Sequence, residues 1–262
     1  MIDKEKLIRH IKDRQDRQIV MKTLNKVEKA LKNYMVCSTD FYDPYEISLC
    51  SSVLDQISDL NYGVFGGYKE AERKIIMVCP SIFSFEEKDK PIGALKIHGN
   101  FTKKDVTHRD FLGAILGLGL KREKIGDLLI NDGVINLVVY KELGEYIRLN
   151  LDKVSKYKVI VEDMDCKDLI EKEEEFKIIQ TTVASLRLDT MASAGFSVSR
   201  NIISRSINNE KVKVNFKTVQ QSSHMISKQD IISLRGSGRI IVEHIGDKTK
   251  KDRIKVTIKR ML

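Results

Sequence analysis

One basic stretch near the C-terminus, residues 187–217, constrains the fold of this chain more than any other segment. It opens with Arg187-Leu188-Asp189, and its apolar spacing predicts two short helices, the first of which ends at Gly195. An alternating segment at 211–215 predicts a strand directly after the second helix, and residues 230–235 predict another strand. The stretch therefore predicts a small unit in which two helices are followed by a strand hairpin.

The second predicted helix and the strand after it both present cations on their polar sides. The isoleucines of the helix fall on one side, whereas Arg200 and Arg205 fall on the other, with amides and a hydroxyl but no carboxylate. If Val212 and Val214 point inward, the side chains around them point outward together. Guanidinium groups bind phosphate bidentately, and a helix start offers N–H groups to another phosphate. The residues expected to contact a phosphate-bearing ligand are Arg187, Ser199, Arg200, Arg205, Lys211, Lys213 and Lys217, with Arg235 and Arg239 as further candidates.

Two more residues of this predicted binding set have more than one interpretation. Asp189 is expected to orient Arg187 or to cap the backbone, in preference to touching the ligand. Asn215 either contacts the ligand or stabilises the hairpin, and the sequence favours neither. A solvated surface is the simpler account of any single cation, but the absence of carboxylates from the same face argues against it for the group.

These residues resemble the S4 RNA-binding domain. The chain departs from that pattern at Glu210 and Phe216, where many S4 domains have glycine, and neither departure touches the basic face. The resemblance implies an S4 domain of the αL type that recognises the shape and phosphates of structured RNA. The matching positions are Arg187-Leu188-Asp189, Gly195, Ser199-Arg200, Ile207, Val212-x-Val214-Asn215, Asp230-x-Ile232 and Arg235-Gly236-x-Gly238-Arg239.

The net charge is concentrated in the same C-terminal unit. Residues 186–262 hold 16 Lys/Arg and 6 Asp/Glu, a net charge of +10, whereas residues 1–185 hold 30 basic and 31 acidic residues, a net charge of −1. This asymmetry is typical of a nucleic-acid-binding module. Binding to an anionic membrane surface would also explain this concentration of positive charge. The cations lie on predicted strands and loops instead of an amphipathic helix, however, so no membrane partner is expected.

Upstream of this unit, the periodicity predicts two further domains and hence a multi-domain α+β protein. The first is a small helical and β domain, in which Asp43-Pro44 begins a helix. The second has the order βαββαβ, the ferredoxin-like arrangement shared with RNA-recognition modules. Such modules stack bases on aromatic side chains, and here the corresponding strand offers only Tyr140, so the fold does not imply that binding mode. The predicted boundaries are 1–82 for the first domain, 91–165 for the ferredoxin-like domain and 185–262 for the S4 domain. Residues 166–184 between them are predicted to form an acidic linker, with its acidic run at 171–175, and a strand that enters the S4 domain.

No catalytic or metal-binding arrangement stands out. The four cysteines are widely spaced and form no C-x-x-C pair, which favours buried thiols in a reducing cytosol. His108 and Asp110 lie close together at a helix start, but such neighbours do not face each other. The glycines of residues 113–119 are better explained by a helix end than by a nucleotide-binding loop. We therefore expect no catalysis, no metal and no cofactor.

Over nearly its whole length the chain is similar to the bacterial YlmH family. Members of that family are encoded near cell-division genes and resemble small S4 proteins that bind the large ribosomal subunit. The resemblance implies binding of rRNA and peptidyl-tRNA on stalled large subunits, in ribosome-associated quality control. A cytoplasmic monomer is expected. The matching motifs are T-D-F-x-D-P-x-E at 39–46, G-G-Y at 66–68, A-E-R-K at 71–74, H-R-D-F-L-G at 108–113, L-G-L-K-R-E-K-I-G-D at 118–127, S-L-R-L-D at 185–189 and T-K-K at 249–251.

Two other functions remain open from the sequence. One is an RNA-modifying enzyme with an S4 appendage, whose catalytic residues lie around His108 and Asp110. The other is a division-associated scaffold that binds protein or membrane through residues 1–80. The basic turn 121–124 of the middle domain is either a small RNA-binding patch or simply solvated.

Overall fold

The structure, a computed structural model, describes residues 2–102, 105–131, 134–169 and 175–261. It divides at residue 172 into two compact units. Both units combine helices with antiparallel sheets, so the predicted α+β class is confirmed. The predicted acidic linker falls mainly on residues 171–174, outside the described residues, and the domain boundaries drawn from the sequence remain a prediction.

The first unit begins with helices packed on a small sheet. Asp43 caps the third helix and forms a capping box with Glu46, with Pro44 at the first helical position, as the sequence predicted. The three strands pair in the order β1-β3-β2, and the central strand β3 is buried along its whole length. The elements are α1 Lys4–Ile8, α2 Arg14–Asn33, β1 Cys37–Ser38, α3 Pro44–Leu54, β2 Leu60–Phe65 and β3 Ile75–Pro80.

The middle domain has the predicted βαββαβ order. Its sheet runs β5-β6-β4-β8-β7, and the first four strands in that list give the ferredoxin-like arrangement, with a short strand added at the edge. Two helices cover one face, because Phe111 and Ile147 pack against Leu95 and its neighbours in one core. The elements are β4 Ile92–Gly99, α4 His108–Gly117, β5 Ile125–Asn131, β6 Val134–Tyr140, α5 Lys141–Asn150, β7 Lys153–Val154 and β8 Tyr157–Met164.

The N-terminal domain covers part of the other face of this middle sheet. Val138 and Tyr140 of β6 share an apolar core with Phe41, Ile75 and Met77. The rings of Phe41 and Tyr140 meet edge to face at 5.5 Å. Because this core draws on both domains, residues 2–82 and the middle sheet form one compact body.

A polar joint beside this core is built from the predicted family motifs. Asp127 accepts hydrogen bonds from the Tyr68 hydroxyl at 2.8 Å and from the backbone N–H groups of Glu72 at 2.7 Å and Arg73 at 3.0 Å. The Arg73 guanidinium in turn donates to the carbonyls of Phe41 at 2.6 Å and Ile125 at 3.1 Å. These motifs therefore hold the two domains together.

The second unit is a six-stranded sheet with two helices on one face. The strands run in the order β11-β10-β12-β13-β14-β9. A Cβ atom at Gly195 would lie 2.4 Å from Ile240, so only glycine lets α6 approach the sheet this closely. The two predicted helices and the strands predicted at 211–215 and 230–235 are confirmed. The elements of this unit are β9 Phe176–Val183, α6 Leu188–Phe196, α7 Arg200–Asn208, β10 Val212–Val214, β11 Lys217–Thr218, β12 Ile231–Leu234, β13 Gly238–Lys248 and β14 Ile254–Met261.

Across the described ranges, no helix combines the length and the apolar character that a membrane span requires.

Candidate RNA interface

A carboxylate joins the starts of the two S4 helices. Asp189 lies in the first turn of α6, with 6% of its side chain exposed, and accepts from Arg187 Nε at 3.2 Å and from Arg200 Nη2 at 2.6 Å. Arg187 caps α6, and Arg200 is the first residue of α7. We call these three residues the Arg–Asp–Arg cluster. The sequence predicted the contact with Arg187 and missed the contact with Arg200.

The cluster keeps its carboxylate ionised and its cations accessible. Burial raises the pKa of Asp189, but the hydrogen bonds and charges of Arg200 and Arg187 outweigh it, so the pKa lies below its ordinary value. The side chains of Arg187 and Arg200 remain 41% and 53% exposed. The arrangement therefore presents two guanidinium groups to solvent in fixed positions, which suits phosphate oxygens.

A second group of cations lies on the sheet face that points away from the helices. Val212 and Val214 are buried, so Lys213 between them points outward, as predicted. Lys213 pairs with Ser233, and Ser233 pairs with Arg239 on the next strand, so their side chains form one row. Lys211 and Arg235 lie side by side, since the Arg235 N–H donates to the Lys211 carbonyl at 2.9 Å. We call Lys211, Lys213, Arg235 and Arg239 the cationic sheet face.

The hairpin tip beside this face is held by Asn215. Its Nδ2 donates to Asp230 at 2.8 Å, and its Oδ1 accepts from the Ile231 N–H at 2.9 Å. Both ends of the amide are thus used within the hairpin, which favours the structural interpretation of Asn215. Phe216 follows with φ 69°, and its ring lies 5.1 Å from the Arg239 guanidinium. That contact orients Arg239 on the cationic sheet face.

The remaining predicted contacts also lie at the surface. Ser199 precedes α7 as its N-cap residue, but its side chain makes no capping hydrogen bond. Arg205 is exposed on α7, and Lys217 is exposed on β11.

Two of the three cations in the basic turn of the middle domain have structural partners. The Arg122 guanidinium donates to the carbonyls of Ile125 and Gly126. Burial, followed by repulsion from nearby Arg73, lowers the pKa of Arg122 to about 10. Lys124 pairs with Asp40 at 2.9 Å. Asp40 belongs to the N-terminal domain, so Lys124 supports the joint between the domains, whereas the contacts of Arg122 lie within the middle domain.

Tyr140, the candidate for base stacking, and Asp110, the candidate for catalysis, both have structural partners. Tyr140 is 5% exposed, and its hydroxyl donates to the Thr39 carbonyl, so its ring offers no surface to a base. Asp110 accepts from the Thr107 N–H at 2.9 Å and hydroxyl at 2.6 Å, and these bonds lower its pKa. Within the described part of the chain, no group of three His, Cys, Asp or Glu side chains is arranged to hold a metal.

Comparison with known proteins gives consistent matches along the chain. Three family models match: "YlmH, N-terminal" at residues 15–82, "Putative RNA-binding domain in YlmH" at residues 86–168 and "S4 domain" at residues 186–232. The chain is 34% identical over 229 residues to "Ribosome-associated protein quality control protein P2" of Bacillus subtilis (strain 168), covering 87% of this chain and 89% of that protein. It is also similar in fold to the solved structure "Cell division protein ylmH from Streptococcus pneumoniae", with a TM-score of 0.53 and 22% identity over 62% of this chain and 96% of that one.

Proposed function

This chain belongs to the YlmH family, and on that premise we propose that it is a non-catalytic RNA-binding protein that docks on structured RNA. The proposed targets are rRNA of the large ribosomal subunit and tRNA, in ribosome-associated quality control. The name of the Bacillus relative supports the quality-control role, and the family model "Putative RNA-binding domain in YlmH" supports RNA binding together with the S4 domain. We place this activity in the cytoplasm and assign it to a monomer.

The Arg–Asp–Arg cluster is the observation that supports this proposal most directly. A buried carboxylate usually serves stability, yet Asp189 leaves both of its cations about half exposed. Their orientation is set during folding, so RNA does not bear the entropy cost of ordering two long side chains. Such preorganised guanidinium groups position a protein on phosphates.

The cationic sheet face supports the same proposal through charge. Residues 186–262 carry a net charge of +10. Binding to polyanions should therefore weaken steeply with salt.

Charge reversal at both groups tests the proposal. The Arg200→Glu/Lys213→Glu protein should bind purified large ribosomal subunits at least tenfold more weakly than wild type. The logarithm of its binding constant should also fall less steeply with the logarithm of the salt concentration, by the equivalent of about two phosphate contacts. The control is Lys26→Glu/Lys29→Glu, which makes the same charge change at exposed positions of α2. Co-sedimentation and tRNA filter binding at several salt concentrations measure both quantities. Unchanged affinity and slope in a folded double variant would contradict the proposal.

Catalysis is not part of this proposal, because the carboxylate of Asp110 is engaged by Thr107 in the helix cap. Nucleoside mass spectrometry of RNA incubated with the protein tests this choice. A modified nucleoside that disappears with His108→Ala would establish the enzyme alternative.

A further inference from the structure

The middle sheet has a polar region on its helix-free face, next to the part that the N-terminal domain covers. The side chains of β4, β5 and β6 that contribute to the domain core point to the opposite face. In one row, His98 pairs with Val134, which pairs with Asn131. In the next row, Lys96 pairs with Asn136 on β6 and with Glu162 on β8. We call Lys96, His98, Asn131, Asn136 and Glu162 the polar sheet face.

Several buried polar atoms of this region have no hydrogen-bond partner. Asn136 is 1% exposed, and neither its Nδ2 nor its Oδ1 is hydrogen-bonded. The same holds for Asn131 Nδ2 and His98 Nε2, and these four are the buried side-chain atoms without a hydrogen bond among the described residues. Glu162 Oε2 lies 3.3 Å from His98 Nε2, within ion-pair distance, although no hydrogen bond joins them.

Such atoms are rare in native proteins, because a buried polar group is costly when it is left unsatisfied. Their confinement to one face of one sheet indicates that this face binds a polar ligand. The ligand must offer several donors and acceptors to two amides, an imidazole and a carboxylate.

The chemistry of this set suits a nucleobase better than a phosphate. One lysine and one carboxylate nearly cancel in charge, whereas phosphate sites collect cations. Amide and carboxylate groups instead match the donor and acceptor edges of bases. Ile160, which pairs with His98 and is 60% exposed, adds an apolar surface for the ring. Single-stranded RNA exposes these edges, whereas a helix hides them.

We infer that the polar sheet face binds one unpaired base of an RNA through hydrogen bonds, with Asn136 at its floor and Lys96, His98 and Asn131 at its rim. The inference rests on the proposed RNA-binding function and adds a base-recognition site to the phosphate contacts of the S4 domain. The two sites differ in kind: the S4 contacts respond to salt, and the polar sheet face responds to base identity.

The experiment measures base preference with the full-length protein. Four labelled single-stranded RNA hexamers, each made of one base, are titrated by fluorescence anisotropy at raised salt, where phosphate contacts are weakened. Wild type should prefer its best hexamer to its worst by about tenfold, the discrimination expected of a good base contact. Asn136→Val should abolish that preference, whereas the control Asn150→Ala at the exposed end of α5 should keep it.

The Arg200→Glu/Lys213→Glu protein separates this inference from the proposed function. It should keep the base preference while its binding to large subunits falls, so each site can fail independently. Absence of any preference in wild type would overturn the inference. Preference unchanged in folded Asn136→Val, or in the rim variant Asn131→Ala if Asn136→Val does not fold, would overturn it as well.

Discussion

The guanidinium of Arg200 donates to Oδ2 of Asp189 over 2.6 Å, so the first residue of α7 is tied to the buried first turn of α6. One carboxylate thereby fixes the approach of two helices and the direction of two cations. Stability and RNA binding should therefore respond together when this carboxylate is changed.

Replacing Asp189 with Asn should weaken RNA binding several-fold although it adds one unit of positive net charge. The neutral amide cannot hold both guanidinium groups, so their orientation is lost. The free energy of unfolding should fall by about 1–3 kcal/mol, because the two guanidinium groups lose the buried carboxylate that accepts their hydrogen bonds. Filter binding and urea denaturation measure the two effects. Asp252→Asn, the same change at an exposed position of this unit, should leave affinity unchanged or raise it; an equal loss there would refute the role given to Asp189.

The stability that Asp189 contributes should depend on pH. Its folded-state pKa lies below the ordinary value, so the contribution is present above about pH 4 and is lost as the pH falls through the folded-state pKa. The difference in melting temperature between wild type and Asp189→Asn should stay constant from pH 7 to 5 and shrink in more acidic buffer. A difference that is independent of pH down to pH 3 would show that the pairing is not ionic.

Asp127→Ala should destabilise the first unit by about 2–3 kcal/mol, because three donors lose their acceptor at the joint between two domains. Urea denaturation followed by tyrosine fluorescence measures this change. Asp152→Ala removes a carboxylate from an exposed position of the same unit and should cost less than about 0.5 kcal/mol. Similar costs for the two variants would mean that the joint does not stabilise the unit.

Glu210→Gly should stabilise the S4 domain by about 0.5–1 kcal/mol. Glu210 has φ 55°, a conformation that strains residues with a Cβ atom and suits glycine. The gain is reduced by loss of the hydrogen bond from Gln220. Glu142→Gly, the same substitution within α5, should instead cost about 1 kcal/mol. Thermal denaturation of both variants should show shifts of opposite sign.

The elements that the sequence predicted well are those with strong local signals. Asp43 caps its helix as expected, because a capping box depends on residues three positions apart. The ferredoxin-like order followed from the apolar strand segments of the middle domain and the helical apolar spacing between them. The two departures from the S4 pattern were also visible, and the structure places Glu210 and Phe216 at positive φ, where glycine is usual.

The contacts that the sequence did not reveal join residues far apart in the chain. Asp127 and Arg73 are 54 positions apart, and nothing in either motif indicates the other as a partner. Lys124 of the basic turn differs from a solvated lysine through its ion pair with Asp40, which lies far earlier in the chain. Asn136 lies within an apolar strand, where one polar residue could equally face solvent, and only the three-dimensional arrangement shows that it is buried without partners.

The shared core of Phe41, Ile75 and Met77 with Val138 and Tyr140 also sets an order of events during synthesis. A nascent chain that has just completed its N-terminal domain still exposes these three apolar side chains, since β6 has not yet been made. Exposed apolar surface favours aggregation and chaperone capture. The N-terminal domain therefore reaches its final stability only after translation has passed Tyr140, and a chain truncated before that point should be the species most readily degraded.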